Sequence, residues 1–579
     1  MSVLRKKITR RYVDDPFEFS GALSVSLQKI YAARGVKSEH DTDLALKRLI
    51  PASQLKGLEQ ALVVLEKALR EGWRILVVGD FDADGATSSA LSVLALRRLG
   101  AAHVDYLVPN RFEYGYGLTP EIVEVARGYE PNLIVTVDNG ISSIEGVKAA
   151  KDAGINVVVT DHHLPGSELP CADAIVNPNQ PGCEFPSKNL AGVGVIFYVM
   201  TALRTRLEAS GWFEDQGIEK PNMAEFLDIV ALGTVADVVP LDQNNRILVE
   251  NGLQRIRAGR CREGIKALVE VSKRSMPRVV ATDLGFALGP RINAAGRLDD
   301  MSHGIECLLA DSPNQARELA MELDQLNMDR KSIEFGMQQE AMNALKQLHL
   351  DLQSMPFGLC IFKPDWHQGV IGILASRIKE RFNRPVIAFA PGDKGEIKGS
   401  ARSIPGFHIR DALDAIASQH PGLISKFGGH AMAAGLSFPK DNYLAFQKAF
   451  DQQARRMLTA QDLEGVIFSD GELAATEFAL PFAQLLRNAG PWGQGFPEPI
   501  FDGEFEILEQ RLVGEKHLKM VLTVPGSNSV IDGIAFNVDL EQWPNTRAKR
   551  IKLAYKLDVN EYRGVESPQL MVEYLEPVQ

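Results

Sequence analysis

Several features are scarce in this 579-residue chain, and each scarcity closes a class of function. No stretch reaches the ~20 uncharged apolar residues of a membrane span, so no membrane association is expected. The N-terminus, MSVLRKKITRRYVDDP, is basic but no apolar core follows it, which is not the form of a signal peptide. Cysteine is limited to five scattered residues (Cys171, Cys183, Cys261, Cys307 and Cys360), never in CxxC spacing. That pattern argues against a disulfide framework and a thiolate zinc knuckle, and fits a reducing, cytoplasmic location. No GxxxxGK[ST] phosphate loop occurs, nor any internal repeat or low-complexity tract. Positive charge is also short. With 63 Lys and Arg against 74 Asp and Glu, the net charge is -11. Such a chain suits a phosphate-rich partner only if bound cations offset a concentrated group of acids.

What is abundant is the combination of buried-strand runs and acids. Ile75–Asp80, Leu133–Asp138 and Asn156–Asp161 are apolar runs rich in Val and Ile, and each ends on an aspartate. Such runs read as strands buried on both faces. The first continues as Asp80-Phe81-Asp82-Ala83-Asp84-Gly85 and the last as Asp161-His162-His163. Side chains at the ends of parallel strands converge at the carboxyl edge of the sheet, where open α/β sheets bind ligands. So many carboxylates would repel one another unless cations sat between them.

Strand and helix alternate from the amphipathic stretch Leu55–Arg70 to Asp161, which predicts a parallel, doubly wound sheet. The periodicity between about Pro313 and Leu350 predicts one helix of roughly 50–55 Å, long enough to bridge two lobes. A second α/β unit follows: strand Gly358–Phe362, helix Ile371–Phe382, strand Val386–Phe389 and helix Ile409–Ser418. Beyond Leu463 come short β-like runs, Val466–Phe468, Phe505–Leu512, Lys519–Val524, Val530–Phe536, Ile551–Leu557 and Gln569–Tyr574. Five or six strands in this space suit a small barrel such as an OB-fold. The expected domains are a lead-in (1–50), a catalytic α/β domain (51–260), a linker with the long helix (261–352), a smaller α/β domain (353–460) and the barrel (461–579).

Alternation places Asp80, Asp82 and Asp84 on one side of an extended segment. An EF-hand is excluded because the terminal Glu is missing. Asp138 lies in an Asp-Asn-Gly turn, and Asp237 ends the helix-like run Met223–Val235. Adjacent histidines after a buried strand allow one to be a metal ligand and the other a supporting or phosphate-contacting group. Carboxylates with imidazoles and no thiolate favour Mn²⁺ or Mg²⁺. Two such ions suit phosphoester hydrolysis. In this order DFDADG, VDNG, TDHH and GTVADVVP resemble the four motifs of the DHH phosphoesterase superfamily. The resemblance implies a dinuclear centre with ligands from Asp80, Asp82, Asp84, Asp138, His162 and Asp237, and His163 adjacent. No histidine closely precedes the first motif, so which two of its three aspartates bind metal stays open.

Further on, Gly289-Pro290-Arg291-Ile292-Asn293-Ala294-Ala295-Gly296-Arg297, Gly399-Ser400-Ala401-Arg402-Ser403 and Gly428-Gly429-His430 combine arginine forks, hydroxyls and exposed backbone N–H groups, all suited to phosphate. These clusters resemble the DHH-associated domain. With the long helix and the terminal barrel, the chain from about residue 50 onward is similar to the RecJ family of single-strand-specific 5′→3′ exonucleases. That resemblance implies that Ser400, Arg402 and one of Arg291 or Arg297 hold a 5′ phosphate. It also implies that His430 contacts the scissile phosphate beside Gly428 and Gly429, and that Arg111 touches the strand. Its further implications are a monomer acting on single-stranded DNA in repair and recombination, with a helicase and a single-strand-binding protein as partners. Phe496 departs from the family pattern, where Asn is expected. The barrel's Arg547, Lys549, Arg550, Lys552 and Lys556, with Tyr555 and Tyr562, read as a basic, stacking surface for a single strand. Two alternatives are a DHH phosphodiesterase for oligoribonucleotides or cyclic dinucleotides, and an inactive nucleic-acid scaffold.

Overall fold

The three aspartate-terminated runs are neighbouring strands of one parallel sheet. The computed structural model describes residues 6–13, 23–110, 117–347, 355–392, 395–514, 516–538, 543 and 548–578. It separates into two units: Val13–Asn327 with Leu485–Glu498, and Met1–Tyr12 with Met328–Gln484 and Pro499–Gln579. The strand β1 (Lys6–Arg10) belongs to the second unit. In the first unit β2 (Arg74–Gly79), β3 (His103–Leu107), β4 (Leu133–Val137), β5 (Asn156–Thr160) and β6 (Ala174–Val176) pair in the order β3-β2-β4-β5-β6. All four pairings are parallel. Every residue of β4 is buried, and each such Val or Ile contributes about 1.5–3 kcal/mol when removed from water. The chain leaves β2 for β3 on one side and returns to β4 on the other. That reversal opens a crevice at the carboxyl ends of β2 and β4, the positions after which Asp80 and Asp138 follow.

The helix Ala83–Arg98 starts directly after the DFD segment and is buried along most of its length. Its Ala, Gly, Ser and Thr residues allow close packing against the helices Gly192–Ala209 and Leu227–Ala236. The GPRINAAGR segment forms the helix Gly289–Leu298. There the Asn293 Oδ1 accepts the Ala83 N–H at 2.9 Å, so this segment fixes the entry to the acid loop. Phe496, standing where Asn was expected, is buried and stacks on Trp492 with ring centres 5.2 Å apart.

The second unit contains β7 (Leu359–Phe362), β8 (Val386–Pro391), β9 (Glu396–Arg402), β10 (Lys426–Gly429) and β11 (Ala433–Pro439), ordered β10-β11-β9-β8-β7. Only β7 and β8 pair in parallel; the other pairings are antiparallel. A core of phenylalanines, Phe389, Phe407, Phe438, Phe446 and Phe450, anchors its helices to the sheet. The strand β12 (Gly465–Ser469), expected among the barrel strands, instead pairs with β1 in parallel. The barrel itself closes through β13 (Phe501–Val513), β14 (His517–Thr523), β15 (Val530–Ala535), β16 (Arg550–Tyr562) and β17 (Val565–Pro577), in the order β13-β14-β15-β17-β16.

The long helix runs over Pro313–Gln347, 35 residues, or about 52 Å at the usual rise. The three- and four-residue apolar steps of the sequence run through Leu319, Leu323, Leu326, Ile333, Met337, Ala341, Leu345 and Leu348, and the buried row follows them only in part. Leu319, Leu326 and Ile333 are half-buried, while Ala316, Ala320, Leu323, Asn327, Arg330, Glu334, Met337 and Ala341 are buried. Alternating steps of four and three residues define that row. The polar members are tolerated because Arg330 and Glu334 pair at 2.8 Å and Arg377 donates to Glu334 at 2.9 Å. Leu348 lies outside the described residues.

Candidate metal centre

Seven of the side chains singled out from the sequence converge in the first unit. Three overlapping groups place ligand atoms within 4.8 Å of one another: Asp138 with His162 and His163, Asp84 with His162 and Asp237, and Asp80 with Asp82 and Asp138. The first motif is not extended as the alternation predicted. Asp82 caps the helix Ala83–Arg98, its Oδ1 accepting the N–H groups of Asp84 and Gly85 at 2.9 and 3.0 Å. The backbone therefore bends at Asp82, and Asp84 sits in the first helical turn with its carboxylate fully buried. There it accepts the N–H groups of Gly192 and Val193 at 2.6 and 2.9 Å, at the amino end of the next helix. A Cβ at Gly192 would lie 2.6 Å from the Cβ of Asp138, so only glycine permits this approach.

His162 Nε2 stands 3.1 Å from Asp138 Oδ1, 3.5 Å from Asp237 Oδ2 and 3.9 Å from Asp84 Oδ2. Burial, then the charge of His163, lowers its pKa to about 4, so the ring is neutral. The buried Nε2 makes no hydrogen bond and faces the carboxylates. In the tautomer protonated on Nδ1, Nε2 directs a lone pair at the carboxylates, as a metal ligand must. Asp237 Oδ2 is likewise buried without a hydrogen bond. Burial, then mutual repulsion, raises Asp84 to about 7 and lifts Asp138 and Asp237 well above the carboxylate range. An orphaned imidazole nitrogen facing crowded carboxylates is a donor set that a divalent cation fits.

Asp161 has a different task. Its carboxylate accepts Ile141 N–H (2.9 Å), His162 N–H (2.7 Å), His163 N–H (3.0 Å) and the His163 ring at Nδ1 (2.8 Å). Burial opposes ionisation of Asp161, but the His163 bond and charge outweigh it and hold its pKa below the usual value. Conversely, burial acts to lower the His163 pKa, while Asp161 outweighs it and raises it to about 9. The histidine loop is also tied down by Asn177 and Asn179, which donate to the carbonyls of His163 (2.9 Å) and His162 (2.6 Å). Neither asparagine nor Gly192 was singled out in the sequence. The Asn-Pro-Asn run after β6 and the Gly-Val-Gly helix start carry no spacing that links them to the acids.

In the second unit, Ser400 and Arg402 share one face of β9, and Arg402 Nη1 donates to Ser400 Oγ at 3.1 Å. Burial lowers the Arg402 pKa, although a guanidinium remains charged at neutral pH. A Cβ on Gly372, in the first turn of Ile371–Phe382, would lie 2.9 Å from Arg402 Nη2 and 3.0 Å from Ser400 Oγ. Across the sheet, Ser400 aligns with Gly435 and Gly435 with Gly428, and open space lies over both glycines. Gly429 ends β10, and the exposed His430 follows it. Of the two arginines in the GPRINAAGR segment, Arg291 pairs with Asp324 at 2.8 Å and also donates to Ala287 O, whereas Arg297 is half-buried at the other end of the helix. Arg111 lies outside the described residues.

Of the two tyrosines expected to stack beside the barrel's basic run, Tyr562 is exposed and Tyr555 is not. Tyr555 is 1 % exposed, because its ring fills the barrel interior beside Phe501 and Phe505. Arg550, Lys552 and Lys556 face Glu504, Glu576 and Glu573 on adjacent strands, and Lys549 is exposed. Arg547 lies outside the described residues.

Known proteins share this arrangement. Residues 74–234 match the DHH family, N-terminal domain, residues 355–456 the DHHA1 domain, and residues 469–574 the RecJ OB domain. The single-stranded-DNA-specific exonuclease RecJ of Escherichia coli strain K12 is 56% identical over 572 residues, 99% of each chain. That of Haemophilus influenzae is 52% identical over 577 residues, covering 99% of this chain and all of the relative. The crystal structure of RecJ from Thermus thermophilus in complex with Mn²⁺ superposes with a TM-score of 0.77 at 30% identity, over 96% of this chain and 76% of that one. Acids and histidines at one sheet edge, a DHHA1 domain and a RecJ-type barrel, matched across the whole length, show that this chain belongs to the RecJ family of single-stranded-DNA-specific exonucleases.

Proposed function

We propose that this chain is a metal-dependent exonuclease that degrades single-stranded DNA from its 5′ end by phosphodiester hydrolysis. The observation that carries this reading is the convergence of Asp80, Asp82, Asp84, Asp138, His162 and Asp237 in overlapping groups that include an imidazole nitrogen with no hydrogen bond. These residues would hold two divalent cations, Mn²⁺ or Mg²⁺. When bound, the cations supply Lewis acidity to the attacking water and to the phosphoryl oxygens. The chain's own groups fix the rest. Two backbone N–H groups orient the Asp84 carboxylate, and the Asn179 amide holds the His162 carbonyl. Asp161 keeps His163 protonated at neutral pH, as a cationic donor for a substrate phosphate.

Ser400 and Arg402 hold the 5′ phosphate in this reading, with the helix start at Gly372 adding favourable dipole. One of Arg291 or Arg297 is their partner in this reading. His430, beside Gly428 and Gly429, contacts the scissile phosphate. Separated strands arise where a helicase works and are covered by a single-strand-binding protein. In this reading the enzyme acts as a cytoplasmic monomer in DNA repair and recombination beside such partners.

The test is nucleotide release from 5′-labelled and 3′-labelled single strands with Mn²⁺. The label should leave first from the 5′ end, the Asp138→Ala variant should lose at least ~10³ in rate, and Arg402→Ala should erode the preference for a 5′ phosphate. Release from the 3′ end, or an active Asp138→Ala variant, would refute the proposal.

A further inference from the structure

The first unit holds a cavity of about 420 Å³ at the amino end of the helix Gln243–Arg257, lined in part by Arg34, Lys37, Asp41, Asp242, Arg246 and Phe496. None of these residues belongs to the metal centre. Arg246 is 5 % exposed, and among the described residues it forms no ion pair. Its guanidinium lies 4.2 Å over the Phe496 ring, Nη2 donates to the Asp41 carbonyl O at 3.0 Å, and the buried Nε makes no hydrogen bond. A guanidinium does not escape this cost by deprotonating, so an anion is the natural complement to a buried one.

Two carboxylates also face the cavity and attract Arg246 without pairing with it, and both are hydrogen-bonded elsewhere. Asp41 accepts the N–H groups of Lys37 and Ser38 at 2.8 and 3.0 Å. Asp242 caps the helix through the Asn245 N–H at 3.0 Å and accepts Ser187 Oγ at 2.6 Å and Asn189 Nδ2 at 3.3 Å. Lys37 is exposed, and Arg34 packs over Trp492 at 5.3 Å. The helix amino end adds a further positive contribution.

We propose that this pocket binds the phosphate of a nucleotide, with Arg246 and Lys37 meeting the phosphate at a site separate from the metal centre. The choice of a nucleotide rests on the proposed nuclease function. Its phosphate would come either from a released mononucleotide or from the backbone of the strand.

The test is calorimetric titration of the full-length Arg402→Ala protein in EDTA, which removes phosphate binding at the metal centre and at the β9 cradle. Thymidine 5′-monophosphate and inorganic phosphate should bind saturably, and thymidine should not. Lys37→Glu, at an exposed position, should weaken binding at least tenfold, as should Arg246→Gln if it folds. A 5′-hydroxyl oligothymidylate that binds with the same dependence on Lys37 identifies the strand backbone as the source. An oligothymidylate that fails to bind where the monophosphate binds identifies the free nucleotide. No binding of any phosphate compound, or unchanged affinity in Lys37→Glu, overturns the proposal. Both outcomes are independent of whether the protein cleaves DNA, so the nuclease reading stands or falls separately.

Discussion

Asp138 and Asp161 both end buried strands, yet their carboxylates do different work. Asp138 adopts φ +60°, a left-handed backbone that Asp tolerates better than most residues, and faces the imidazole of His162. Asp161 is enclosed by three N–H groups and the His163 ring, which makes it an orienting group for the histidine loop. Strand patterning placed both acids at the sheet edge, because burial on both faces leaves a plain signature in sequence. It did not separate their roles, since those depend on hydrogen bonds from loops far away in the chain. Gly192 is the sharpest example of a residue that sequence left silent. Its missing Cβ leaves room for Asp138 and lets its N–H reach Asp84. Gly192→Ala should therefore cost about 1–3 kcal/mol in thermal unfolding through overpacking, and should weaken Mn²⁺ binding by calorimetry at least tenfold. A variant that binds Mn²⁺ as the parent does would show that this approach is not needed.

Among the elements, the sequence disclosed most about the parallel sheet and the barrel, whose strands alternate or run apolar over several residues. It disclosed least where partners are remote. The strand β1 was not anticipated, and its pairing with β12 joins segments more than 450 residues apart. The pair is fastened from the barrel: Arg10 Nη2 bonds Asp502 at 2.8 Å, and Ser469 Oγ donates to the same carboxylate. Burial acts to raise Asp502, but the Arg10 and Ser469 bonds prevail and hold it below its ordinary value of 3.8. Because the folded value is depressed, this stabilisation is fully present above the unfolded value and is lost as pH falls through the folded one. Asp502→Asn should thus lower stability by about 1–3 kcal/mol at pH 7. The gap in unfolding midpoint between variant and parent should shrink below about pH 4. A gap that is constant from pH 7 to pH 3 would show that the carboxylate charge is not what fastens the strand.

For the molecule as a whole, net charge and composition pointed to acids gathered for cations, and the matched domains agree with that distribution. The barrel shows what composition leaves out: Glu504, Glu573 and Glu576 stand opposite the run of Lys and Arg on neighbouring strands. Cross-strand pairing has no local sequence signal, so these partners were invisible before the register was known. The centre in the first unit is free of that ambiguity, since its crowded carboxylates and the bare His162 nitrogen call for cations in any register. Its most direct test is anomalous diffraction at the manganese edge from crystals of the full chain grown with Mn²⁺. Two peaks should appear, bounded by Asp80, Asp82, Asp84, Asp138, His162 and Asp237, and Asp138→Ala should lose at least one of them. A single peak in the parent protein, or manganese bound only elsewhere, would contradict a two-cation centre.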